Sequence, residues 1–127
     1  MLSKENYDRG VEMLRQMVGA ERLDAARRAF AEVSPDFEHY VVGFLAGELW
    51  PRPGLDLKTR SLVTIAAVAA LGRTRALRFN IEMALGNGAT RQEIVEVLLQ
   101  MAGYAGFPAC WDALGIAKEV FDSPPPK

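Results

Sequence analysis

Cysteine and histidine are nearly missing from this chain, with Cys110 and His39 the only examples among 127 residues. A lone cysteine permits no internal disulfide and no CxxC redox pair, and it fits a reducing compartment. One cysteine and one histidine cannot supply three His/Cys ligands for zinc, and no serine-centred elbow is present. Nor is there a P-loop, a GxGxxG string or a stretch that alternates like a strand. The formal net charge is -1 and no Lys/Arg block is interleaved with aromatics, so nucleic acid is not an expected partner. The longest apolar run, 62-LVTIAAVAALG-72, is far shorter than the roughly 20 residues that cross a bilayer. The opening 1-MLSKENYDRG-10 is charged from Lys4 onward and does not read as a signal peptide. A cytoplasmic protein without membrane partners is expected.

What is present is helical periodicity. The length suits one domain with its own core, placed over residues 1–122, with 123–127 a disordered tail. The spacing predicts a first helix over Lys4 to Val18, stopped by Gly19, and a second over Glu21 to Val33. Ser34 and Pro35 then read as N-cap and first position of a third helix. That helix carries Phe37, Val41, Phe44, Leu45 and Glu48 on one face, an aromatic stripe ending in a carboxylate that is expected to be partly buried. After a break, Asp56 is the expected cap of a helix whose body, Leu62 to Leu71, is apolar on nearly all sides and therefore expected to be buried in the domain or at a subunit contact. Gly72 ends it, and Thr74 is expected to cap a fifth helix reaching Leu85. Thr90 and Glu93 form a capping box ahead of a stripe of Ile94, Val97, Leu98, Met101 and Ala105. Gly106 and Pro108 separate this from a last helix ending near Phe121. The expectation is an all-α bundle.

The break itself, 47-GELWPRPGLDLKTR-60, is more rigid and more charged than a turn requires. Arg52 stands between two prolines, so its guanidinium is either a solvated loop cation near Asp56 or a pre-ordered bidentate anchor for a carboxylate. Glu48 is either a rim carboxylate or a proton carrier, and Trp50 suits core, interface or pocket lining. His39 lies nine positions before Glu48, about half a turn away on a regular helix, and is expected at the surface or an interface. Tyr104 and Phe107 are expected in the core, with Tyr104 also a pocket candidate. Cys110 is expected as a small buried hydrophobe, and Asn87 as a turn residue tolerant of the left-handed region.

Three segments carry a resemblance: 47-GELWPRPGLDLKTRSLVTIAAVAALGR-73, 81-IEMALGNGATRQEIVEVLLQMAGYAGFPA-109 and, more weakly, 7-YDRGVEMLRQMVG-19. In these the chain resembles the carboxymuconolactone decarboxylase family, within the alkyl hydroperoxidase D-like superfamily. The resemblance implies an alkyl hydroperoxidase D-like helical bundle of about six or seven helices, assembled as a trimer or hexamer with pockets near subunit contacts. It implies a cofactor-free carboxy-lyase of aromatic catabolism acting on a small carboxylated lactone or oxo-acid. Catalytic roles would fall to Glu48, Arg52 and Asn80, and substrate binding to Trp50, Phe44 and Tyr104. Asn80 stands in 77-LRFNIEMAL-85, where the decarboxylases carry a histidine in a pattern like L-x-x-H-x-x-x-A-L. An amide can bond an oxyanion but cannot trade protons at neutral pH. Isomerisation, dehydration or lactone opening in the same pocket, or a non-catalytic ring that binds a small acid, therefore remain alternatives. The superfamily's thiol peroxidase chemistry needs two cysteines and is attached here by label only.

Overall fold

A computed structural model describes residues 3–123, and the expected tail beyond Ser123 lies outside them. Among the described residues every regular element is helical: α1 (Lys4–Val18), α2 (Ala20–Val33), α3 (Pro35–Tyr40), a π-helix (Val41–Leu49), α4 (Leu57–Ala70), α5 (Thr74–Gly86), α6 (Arg91–Ala105) and α7 (Phe107–Asp122). The chain divides into two compact units between Leu57 and Lys58.

In the first unit the helix ends follow local chemistry. The Ser3 and Ser34 hydroxyls accept from the backbone N–H groups of Asn6 and Phe37, closing the first turns of α1 and α3, and Gly19 ends α1 at φ +87°. The close approach of α1 to the π-helix depends on two glycines. A methyl group on Gly10 would overlap the Val42 carbonyl oxygen, and one on Gly47 would overlap that of Asn6. With no Cβ at either site the two backbones touch directly.

Val41–Leu49 departs from the α-helix that the spacing predicts, and its last bond runs from the Trp50 N–H to the Leu45 carbonyl at 3.0 Å, a five-residue step. Its buried face is Val42, Gly43, Ala46 and Gly47, followed by Trp50. The stripe expected to face inward is therefore turned out: Phe37, Phe44 and Leu45 are exposed, and so is Glu48. Packing against the glycine surface of α1 selects small side chains, which the aromatic stripe cannot supply.

The second unit holds an apolar core of Ile65 and Ala69 from α4, Leu77, Ile81 and Ala84 from α5, Ile94 and Leu98 from α6, and Ala113, Ala117 and Val120 from α7. Burying each of its large aliphatic side chains contributes about 1.5–3 kcal/mol. The capping box forms as expected, with Glu93 N–H donating to Thr90 Oγ1 at 3.0 Å and Thr90 N–H to Glu93 Oε1 at 2.9 Å. Cys110 is buried, also as expected.

Two expectations for this unit fail, those for Thr74 and for Tyr104 and Phe107, and two hold in part. Thr74 is the first residue of α5, not its cap; Arg73 precedes it and supplies no side-chain cap bond. α4 is buried in the domain on one side only: Ser61, Ile65 and Ala69 are buried, Leu62 and Val68 pack partly buried against the core, and Val63 lies exposed. Tyr104 and Phe107 flank the Gly106 break and are 82% and 78% exposed, so neither is a core residue of the subunit. Asn87 is a turn residue as expected, but the left-handed conformation falls to Gly88 (φ +96°), while Asn87 keeps φ -89° and donates its side-chain N–H to Ser61 Oγ at 3.0 Å.

Candidate functional site

Glu48 lies at the C-terminal end of the π-helix, one residue after the Gly47 contact with α1. That contact brings the first turns of α1 beside it. The Asn6 side-chain amide donates to Glu48 Oε1, Arg9 Nη2 donates to Asn6 Oδ1, and Arg9 Nε donates to the Gly47 carbonyl at 2.8 Å. The carboxylate is thus exposed yet held by a neutral donor, rather than half-buried on an apolar face. Trp50 is 8% exposed and caps the π-helix, while Phe44 stands out from it. Arg52 follows at the start of the exposed run 52–56, its backbone N–H bonded to the Leu49 carbonyl at 3.2 Å.

Asn80 and Tyr104 belong to the second unit. Asn80 is half-buried on α5, and one of its side-chain N–H groups donates to the Ala76 carbonyl at 2.8 Å. That leaves its other N–H and its oxygen for further contacts.

Sequence reasoning missed a second ionisable cluster in the first unit. Glu38 is only 9% exposed and accepts from Tyr7 Oη at 2.6 Å and from Arg27 Nε at 3.2 Å. Arg27 Nη2 also donates to Tyr7 Oη at 2.7 Å, and its guanidinium lies 5.5 Å from the centroid of that ring. Burial, then the hydrogen bond to the Glu38 carboxylate, raises the Tyr7 phenol above its ordinary value. For Arg27 burial works against the charge, but its bonds to Tyr7 and Glu38 outweigh that and hold the guanidinium more firmly protonated. His39 is half-buried and stacks on Tyr7 with centroids 4.9 Å apart and planes at 21°. The cluster borders an open cleft of about 370 Å³ between α1, α2 and α3. With Tyr7, Arg27 and Glu38 each bonded to the other two, it acts as a tie between three helices.

Among the described residues no group of three or more His, Cys, Asp or Glu side chains is placed to hold a metal ion. No helix among them is long and apolar enough to cross a membrane.

Among the described residues the chain is thus a helical protein in which the Asn6 amide holds the exposed Glu48 carboxylate, with Arg52 in the proline-flanked break that follows. The chain belongs to the carboxymuconolactone decarboxylase family, whose model matches residues 35–119. It is 37% identical to the 4-carboxymuconolactone decarboxylase of Acinetobacter baylyi over 95% of this chain and 90% of that protein. It is 28% identical to the nitrosuccinic acid decarboxylase npaB of Metarhizium robertsii over 95% of this chain and 85% of that protein. An uncharacterized 15.0 kDa protein in the nqo9-nqo10 intergenic region of Paracoccus denitrificans is 36% identical over 94% of this chain and 90% of that protein.

Proposed function

We propose that the protein is a cofactor-free carboxy-lyase that removes carbon dioxide from a small carboxylated lactone or a related acid. The observation carrying this reading is its 37% identity, along almost the whole chain, to a 4-carboxymuconolactone decarboxylase. A relative named for nitrosuccinic acid widens the substrate class. An unsaturated lactone and a nitro group have one property in common: each can take up the electron pair left when a neighbouring carboxylate departs.

The reaction then divides among few groups. The C–C bond to the carboxylate breaks, carbon dioxide leaves, and the electron pair passes into the lactone or nitro group. A proton is then delivered to carbon, so that one carboxylate and one proton become one C–H bond and carbon dioxide. Arg52 anchors a carboxylate of the substrate with its planar fork, and its flanking prolines limit the entropy lost in doing so. Glu48 carries the proton. Trp50, Phe44 and Tyr104 orient the substrate, and Asn80 bonds developing negative charge through its remaining N–H. The subunits assemble as a trimer or hexamer, a reading supported by the exposed Tyr104, Phe107 and Trp111 side chains. The proposed setting is the catabolism of aromatic compounds.

Carbon dioxide release from 4-carboxymuconolactone and from nitrosuccinic acid tests the proposal. Turnover of at least one is expected, with KM raised tenfold or more in Arg52→Ala, and about 10²–10⁴-fold lower kcat in Glu48→Gln. No release from either acid overturns it. A different reaction in the same pocket, such as isomerisation, dehydration or lactone opening, is the second reading. Asn80 favours it, because an amide stands in the place of the family's histidine and part of its donor capacity already goes to Ala76.

A further inference from the structure

Glu48 is exposed on the π-helix, and an exposed glutamate with three side-chain torsions samples many positions unless something holds it. Proton transfer to a bound carbon tolerates little such freedom, because a misplacement of about 1 Å can lower a rate by about a hundredfold. The holding groups are on α1. Asn6 presents an amide N–H to Glu48 Oε1, and its own carbonyl oxygen accepts from Arg9 Nη2. A guanidinium only donates and a carboxylate only accepts, so a single orientation of the Asn6 amide satisfies both neighbours. Arg9 is fixed in turn by its Nε bond to the Gly47 carbonyl at 2.8 Å, on the residue that precedes Glu48. The Asn6 backbone N–H is bonded to Ser3 Oγ at 3.1 Å, which secures the helix end that carries it.

From this chain of contacts we infer that Asn6 and Arg9 are positioning residues for Glu48: Arg9 sets the orientation of the Asn6 amide, and Asn6 fixes the Glu48 carboxylate for proton delivery. The inference rests on the role proposed for Glu48. An asparagine suits this task because it donates a hydrogen bond without taking or losing a proton in the working pH range. An aspartate of the same size would still accept from Arg9. It would have no donor for Glu48 and would place a second negative charge beside it.

That contrast provides the experiment. Asn6→Asp, Glu48→Gln and the double variant are assayed for carbon dioxide release from whichever of the two acids the wild type turns over, with thermal melts alongside. Asn6→Asp is expected to lower kcat at least about tenfold, with KM changed by less than about threefold. In the Glu48→Gln background the same change is expected to lower kcat no further, because the group it positions has gone. Arg9→Ala is expected to lower kcat in the same sense and by less. Should Asn6→Asp melt early, Asn6→Ser carries the same expectation. Loss of turnover in Glu48→Gln with wild-type kcat in Asn6→Asp overturns this inference alone and leaves the role of Glu48 standing. An equal drop from Asn6→Asp in both backgrounds also overturns it, since the residue would then act elsewhere. Wild-type kcat in Glu48→Gln, or no turnover by the wild type, removes the role of Glu48 and the inference together.

Discussion

The Tyr7 hydroxyl makes two bonds at once, donating to Glu38 and accepting from Arg27, and it links residues 31 and 20 positions away along the chain. Its removal in Tyr7→Phe leaves a buried carboxylate with one partner fewer, a change expected to cost about 1–3 kcal/mol in chemical denaturation. The phenol is raised above its ordinary value in the folded protein. The fold therefore has the full benefit of this proton below about pH 10, the usual tyrosine value, and loses it as pH climbs through the raised one. Melting temperatures measured into the alkaline range should fall more steeply for the wild type than for Tyr7→Phe. Glu93 behaves in the opposite sense. The hydrogen bond from Lys58, at 2.8 Å, and then the Thr90 backbone hold it below the usual carboxylate value. Its stabilising effect is present above the ordinary glutamate range and disappears as the pH falls through the lowered value, so Glu93→Gln should flatten the acid side of the stability curve. Thr90→Ala, which removes the other half of the same box, should cost about 1 kcal/mol at neutral pH. Of these two clusters only the second was legible in the sequence. Thr90 and Glu93 announce themselves by a fixed three-residue spacing, whereas Tyr7, Arg27 and Glu38 come together only when three helices pack, and no local pattern encodes that.

Several helix ends were legible for the same reason: Ser34, Gly19 and Gly106 act within a few residues of themselves, although Thr74 proved the first residue of its helix and not the cap. The facing of the helices was not. A run such as 41-VVGFLAGEL-49 supports either four-residue or five-residue backbone bonding, and the choice decides which side chains turn inward. What selects the inward face here is the contact between Gly10 and Gly47 and the opposing backbones, a feature of two segments 37 positions apart. An alanine in place of glycine inside a helix ordinarily stabilises it by up to about 1 kcal/mol. At Gly10 and Gly47 the added methyl meets a carbonyl oxygen, and the strain of overpacking, about 1–3 kcal/mol or more, should prevail. Both Gly10→Ala and Gly47→Ala are therefore expected to lower the melting temperature, whereas Gly103→Ala, with open space around its Cβ direction, should not.

At the scale of the whole molecule, the apolar side chains left outside are as informative as those within. Tyr104, Phe107 and Trp111 surround one helix junction and are exposed to 82%, 78% and 78%. Sequence patterning assigned the first two to the interior because it registers that an aromatic side chain needs cover, and cannot tell whether the cover comes from the same subunit. If subunit assembly provides it, Trp111→Glu should shift the protein to a smaller species in analytical ultracentrifugation while its helical circular dichroism is retained. Candidate site residues were legible to the same limited degree. The proline-flanked Arg52 and the Glu48 before it stood out by composition, but Asn6 and Arg9 read as ordinary polar positions of an amphipathic helix until the π-helix brought Glu48 beside them. The π-helix also has a consequence for how such a chain can vary. A segment wound more widely than its neighbours accommodates a surplus amino acid, so a one-residue deletion within 43–46 should let it tighten into the commoner winding. Such a shortened chain would swing Gly47 and Glu48 together away from α1, so it should melt earlier as well as misplace its glutamate, and length at this point constrains the chain as firmly as the glycine does.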